Sequence, residues 1–191
     1  MLSSTEIARG GGGSVKFLWQ DVSAPLHFDN TPEGCLRSFR VMILTAPIYA
    51  LYLAVHYLSV SVEADEGQIM LAEGLRYVVE WLLYPVIFYE IARRRGWIDR
   101  YPRYIAALNW SNLPQMILLL IGVSVAAVAP SAIGAPLLLA LQVVFFYWFL
   151  MVTRLVLGTD WVSAAVLLVV NYVPSFFLSV LVDRFLGIGH G

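Results

Sequence analysis

Cysteine is nearly absent: Cys35 stands alone among 191 residues, which excludes an internal disulfide and a cysteine-pair zinc site. Such a residue reads as a small packing side chain, with acylation near a membrane as the alternative. Charge is scarce too. Asp, Glu, Lys and Arg make up 13% of the chain, against about 25% in soluble domains. With a formal net charge of −1, the molecule as a whole has no attraction for nucleic acid. An HExxH helix, a GxSxG elbow and a glycine-rich phosphate loop are all missing, and with them the common zinc, acyl-transfer and nucleotide chemistries. Glu80 and Glu90 lie about 15 Å apart along a helix, too far to act as a carboxylate pair. One intramembrane histidine, His56, cannot supply bis-histidine haem ligation. The expectation is therefore a protein that is not an enzyme, with no catalytic residue, metal or cofactor. A secretory leader is also missing, because the start "MLSSTEIARGGGGSVKFLWQDV" has no apolar stretch behind its charges. The first apolar helix should then serve as an uncleaved signal anchor, and "GGGGS" (10–14) should be a flexible linker.

What is abundant is apolar surface. Hydrophobic residues make up 60% of the chain and mean hydropathy is +0.76, and this excess falls in runs of about twenty residues, the length that crosses a bilayer. Five segments follow: 39–62, a short one between Arg76 and Arg93, 113–132, 135–157 and 161–182. The expected fold is an all-α polytopic transmembrane bundle of about five helices over 39–182, with an N-terminal segment (1–38) before it and a short tail (183–191) after it. Thr31, Pro32 and Glu33 read as N-cap, first helical position and acidic first turn. Phe17, Leu18 and Trp19 form either an interfacial element facing lipid or an ordinary loop. The second segment is the shortest. Extended back to Ile69 it is long enough to span; a re-entrant segment is the competing reading. "APSAIGAP" closes one helical hairpin and "LGTD" another, with Gly158 as C-cap and Thr159 or Asp160 as N-cap.

Five crossings place Arg9, Lys16, Arg37, Arg40, Arg93, Arg94, Arg95, Arg100, Arg103 and Arg154 on one side, and only Arg76 and Arg184 on the other. The positive-inside rule then puts the N-terminus in the cytoplasm and the C-terminus outside. Arg93, Arg94, Arg95, Arg100 and Arg103, interleaved with Trp97, Tyr101, Tyr104 and Trp110, read as orientation signals touching lipid headgroups or a protein partner.

Polar residues at membrane depth are the candidate site. Tyr49, Tyr52 and His56 share one face of the first segment, and Tyr77, Glu80 and Tyr84 one face of the second. His56 and Glu80 fall at one depth, about 6–9 Å below the outer interface. Facing each other they make a polar seam, which is either a structural hydrogen bond between helices or a proton or solute pathway. Glu90 and Arg154 reach headgroups or each other. Gln142 and Asn171 read as interhelical hydrogen-bonding groups.

The stretch "TRLVLGTDWVSAAVLLVVNYVPSFFLSVLV" (153–182), with a basic residue, a small connection at Gly158 and Ala164–Ala165 opening the last span, resembles the Yip1-type five-helix membrane proteins. "RRGWIDRYPRYIAALNWSNLPQ" is similar to the connection entering their third span. The aspartate-tyrosine motif of eukaryotic members is missing here. "FDNTPEGCLRSFRVMILTAPIYAL" is similar to the start of small membrane proteins of alphaproteobacteria. The resemblance implies the helix plan and no site residue. The favoured expectation is a structural or accessory subunit of a bacterial inner membrane, binding lipids and a protein partner or further copies of itself. A small transporter or channel subunit using the seam is the alternative.

Overall fold

The computed structural model describes residues 2–58 and 60–188. Among them the secondary structure is helical, with no strand: α1 Ser4–Lys16, α2 Pro32–Ser38, α3 Val41–Tyr57, α4 Glu66–Arg95, α5 Tyr101–Val128, α6 Ser131–Leu157 and α7 Trp161–Phe185. The all-α bundle is as the apolar runs imply. Four stretches, Pro32–Tyr57, Ile98–Val128, Ser131–Leu157 and Trp161–Phe185, are long and apolar enough to cross a membrane. Their outward faces are apolar at helical spacing, as Val162, Val166, Val169, Val173, Phe176 and Val180 illustrate on α7.

The glycine run is helix rather than flexible linker. Ser3 and Glu6 form a capping box, with Glu6 N donating to Ser3 Oγ at 3.2 Å and Ser3 N to Glu6 Oε2 at 2.8 Å. Beyond this start the helix is held by packing, not propensity. Gly10 lies against the indole of Trp110 and Gly13 against His27, both closer than any larger residue could sit. Trp148 Nε1 donates to the Ser14 carbonyl at 2.9 Å. Phe17 is fully buried and stacked on Phe28 at 5.8 Å, so it faces the protein and not lipid. Trp19, Val22 and Leu26 are exposed apolar side chains in the stretch that follows α1. Residues 2–38 therefore form a layer wrapped around the first turns of α5 and the last turns of α6.

Other boundaries shift for identifiable reasons. Thr31 caps α2 as expected, accepting from Gly34 N at 3.0 Å. The first segment breaks at Phe39–Arg40, between α2 and the 17-residue α3. The second segment is one continuous helix of 30 residues, not a short or re-entrant piece. Asp65 and Gln68 cap it more than two turns before Arg76. Its acidic first turns concealed that start within what reads as a loop. The third segment begins at Tyr101, so three turns of α5 precede the apolar run. Gly158 closes α6 at φ 64° and Asp160 caps α7, accepting from Ser163 N at 2.8 Å. Cys35 is buried as a packing residue.

The connections alternate between two ends. Asn30 Nδ2 reaches the Asp99 carbonyl at 2.8 Å and Arg100 the Leu157 carbonyl, which gathers the N-terminal layer, the α4–α5 link and the α6–α7 link at one end. At the other, Ala64 N donates to the Leu186 carbonyl at 3.2 Å. The α5–α6 turn is tight because Gly134 sits against the Ala126 backbone.

Candidate functional site

The polar seam is built on α4, and its acidic centre is Glu73 rather than a His56–Glu80 pair. Residues 73, 77, 80, 81 and 84 follow helical spacing and turn toward the bundle. Because α4 starts earlier than its apolar run, the α3 tyrosines meet it one turn before Tyr77. Tyr49 OH donates to Glu73 Oε2 at 2.6 Å and Tyr57 OH to Oε1 at 2.7 Å. The Glu73 side chain is 3% exposed, and Arg76 Nη1 lies 3.6 Å from it. Arg76 Nε also donates to Glu80 Oε1 at 3.1 Å. One guanidinium thus bridges two carboxyl groups and can neutralise only one of them. His56 stacks on Tyr52 at 5.9 Å and meets Tyr57 edge-on at 5.2 Å. It is part of the aromatic wall at the α3 end, and Glu80 has Arg76 for its partner.

The seam continues inward. Tyr77 stacks on Tyr49 at 4.8 Å, and its hydroxyl lies 2.6 Å from both Thr45 Oγ1 and the Met42 carbonyl. Tyr84 OH, Tyr104 OH and Thr153 Oγ1 form a buried chain with spacings of 2.8 and 2.9 Å. Four of the six expected seam residues, Tyr49, Tyr77, Glu80 and Tyr84, therefore make polar contacts along α4; Tyr52 and His56 stack beside them on α3. Glu73, Arg76 and Tyr57 were missed. Reading Tyr77–Glu80–Tyr84 one turn further back would have found Glu73.

Beside this seam lies a cavity of about 350 Å³ lined by α3, α4, α5, α6 and α7. A volume of about 300–1,000 Å³ is typical of small-ligand sites. Tyr49, Tyr77, Glu80 and Tyr84 form its α3–α4 wall. Opposite stand the side-chain amides of Asn112 and Gln115 on α5, Gln142 on α6 and Asn171 on α7. Among the described residues none of these four amides has a hydrogen-bond partner in the protein. Gln142 and Asn171 are thus cavity groups, not joints between helices. Pro85, Pro114 and Pro174 each remove one main-chain hydrogen bond within α4, α5 and α7.

No family model, curated protein or solved structure matches this chain. The site is accordingly read from its own chemistry. Among the described residues no three His, Cys, Asp or Glu side chains gather as a metal site.

The arginine cluster divides. Arg93 and Arg94 pair with Glu90 at 3.4 and 2.8 Å on the exposed end of α4, and Arg95 is exposed beside them. Arg103 Nε donates to the Phe28 carbonyl at 3.2 Å and Arg100 holds the end of α6, so these two tie the N-terminal layer and the α6 terminus to α5. Arg154 lies 4.0 Å over the Trp161 ring and does not meet Glu90.

Proposed function

We propose that this is a five-span integral protein of a bacterial inner membrane that binds a small polar solute within its bundle and passes it across. The observation that carries this reading is the cavity, walled by four amides that lack protein partners and one carboxylate. Polar groups inside a membrane are costly unless paired or wetted, and they mark solute pathways when they line a shared space. A bundle needing only cohesion would pair such amides across helices.

The fifth span is α4. Its outward residues Met70, Leu71, Leu75, Val78, Val79, Leu82, Val86 and Tyr89 are exposed and apolar, over a rise of about 28 Å that matches a hydrocarbon core of about 30 Å. Glu73, Arg76 and Glu80 turn inward instead. Glu80 falls near the middle of that stretch, deeper than the sequence spacing implies. The ten-to-two division of basic residues supports a cytoplasmic N-terminus and an external C-terminus. Trp19, Val22 and Leu26 then rest at the cytoplasmic headgroups. The helix plan is compatible with that of Yip1-type proteins.

An accessory subunit docking a protein partner is the second reading, favoured by the uncovered edge of Trp19, Val22 and Leu26. Reconstitution into liposomes separates the two. Flux of small amines, amides and polyols should appear with the wild-type protein and be lost in Asn171→Phe, whose ring intrudes into the cavity. A protein with no flux, whose co-purifying partner is lost in Trp19→Ser/Val22→Ser, would favour the accessory role.

A further inference from the structure

We propose that the cavity is specific for a small organic monocation, an ammonium carrying a hydrogen-bonding arm, with the Glu80 carboxylate as its counter-ion; this deepens the solute-binding reading and rests on it. Three features converge. Among the described residues lining the cavity, Glu80 carries the only charge. Arg76 is shared between Glu73 and Glu80, so its single positive charge can balance only one of two ionised carboxylates. Glu80 Oε1 accepts from Arg76, while Oε2 has no protein partner among the described residues. A monocation at Oε2 would balance the second carboxylate, which a neutral solute or an anion would not.

The walls have matching chemistry. Tyr49 and Tyr77, stacked at 4.8 Å, stand on the same side as Glu80, with Trp81 one position on and Tyr84 one turn on. Aromatic faces attract an ammonium group within about 6 Å of the ring centroid, most strongly where water is excluded. The amides of Asn112, Gln115, Gln142 and Asn171 offer both donors and acceptors across the cavity. They suit a hydroxyl or amide arm, and they place no second carboxylate that would favour a dication. Tyr57 and His56 belong to the Glu73 end and do not line the cavity.

The test uses full-length protein in nanodiscs and isothermal titration with choline and its uncharged isostere 3,3-dimethylbutan-1-ol. Choline should bind at least about tenfold more tightly than the isostere, a difference of about 1.4 kcal/mol. Glu80→Gln should bring the two within about twofold; unaltered thermal unfolding checks that the variant is folded. Loss of the choline preference only in Glu80→Gln supports the proposal. No preference in the wild type, no choline binding, or a preference that survives Glu80→Gln overturns it. Asn171→Phe separates the two levels of the argument. Equal binding of both probes that Asn171→Phe abolishes removes the cation specificity and leaves the cavity reading intact. Binding that Asn171→Phe leaves unchanged removes the cavity reading as well.

Discussion

Alanine substitution in the glycine run of α1 should split into two opposite outcomes within four residues. An added Cβ at Gly11 or Gly12 meets nothing within 4 Å. There alanine gains helix propensity of about 0.8–1 kcal/mol per site. At Gly10 the same methyl overlaps the Trp110 indole, and at Gly13 it comes within 2.5 Å of His27 Cβ. Overpacking of this kind costs about 1–3 kcal/mol per site. The propensity gain is common to both pairs and cancels in the comparison. Gly11→Ala/Gly12→Ala should therefore exceed Gly10→Ala/Gly13→Ala in α1 stability by about 2–6 kcal/mol. Hydrogen exchange of the amides across Ser4–Lys16 in detergent reads this difference directly, since α1 can undock without global unfolding. Trypsin cleavage at Arg9 and Lys16 should follow the same order. If the two double variants protect α1 equally, the helix is not seated on Trp110 and His27, and the N-terminal layer described above is wrong.

A reporter active only in the cytoplasm should work when fused after Gly96 and fail after Gly191; equal activity at both points removes the five-span arrangement. Glu73→Leu deprives Tyr49 and Tyr57 of their acceptor and Arg76 of one carboxylate, and should destabilise the bundle by about 3–5 kcal/mol. Glu73→Gln keeps an acceptor and should cost clearly less; mixed-micelle denaturation giving equal losses would contradict a buried network. The Glu6 carboxyl is held below its ordinary value first by the Ser3 backbone N–H; desolvation opposes this, and the Ser3 hydroxyl and the Arg37 guanidinium add to the lowering. Because the folded value is the lower one, this contribution is complete above the ordinary carboxylate range and fades as pH falls through the folded value. Fraying of the first turn of α1, seen by amide exchange, should thus increase on acidification below about pH 4 and be independent of pH in Glu6→Gln.

The legible parts of the fold were those where one physical signal dominates locally. Apolar runs of bilayer length marked four helices, and the caps at Thr31, Gly158 and Asp160 could be read from side-chain chemistry alone. Where two signals compete, local reading failed. "GGGGS" has the composition of a linker, and only the indole of Trp110, a hundred residues away, and the side chain of His27 make two of those glycines necessary. The start of α4 failed for a related reason. Glu63, Asp65, Glu66 and Glu73 form one acidic patch in sequence, so Glu73 reads as part of an external loop. In the bundle the chain turns helical at Glu66, and Glu73 falls on the inward face two turns later. A hydropathy window averages over all faces of a helix and cannot separate a charged loop from a helix whose charges point inward. Face-by-face reading can: from position 70 to 89 the outward residues of α4 are apolar, while 73, 76 and 80 share the opposite side. The same blindness hid the cavity. Asn112 and Gln115, Gln142 and Asn171 sit on three helices and look like isolated polar residues in three separate windows, so only tertiary packing reveals that they address one space.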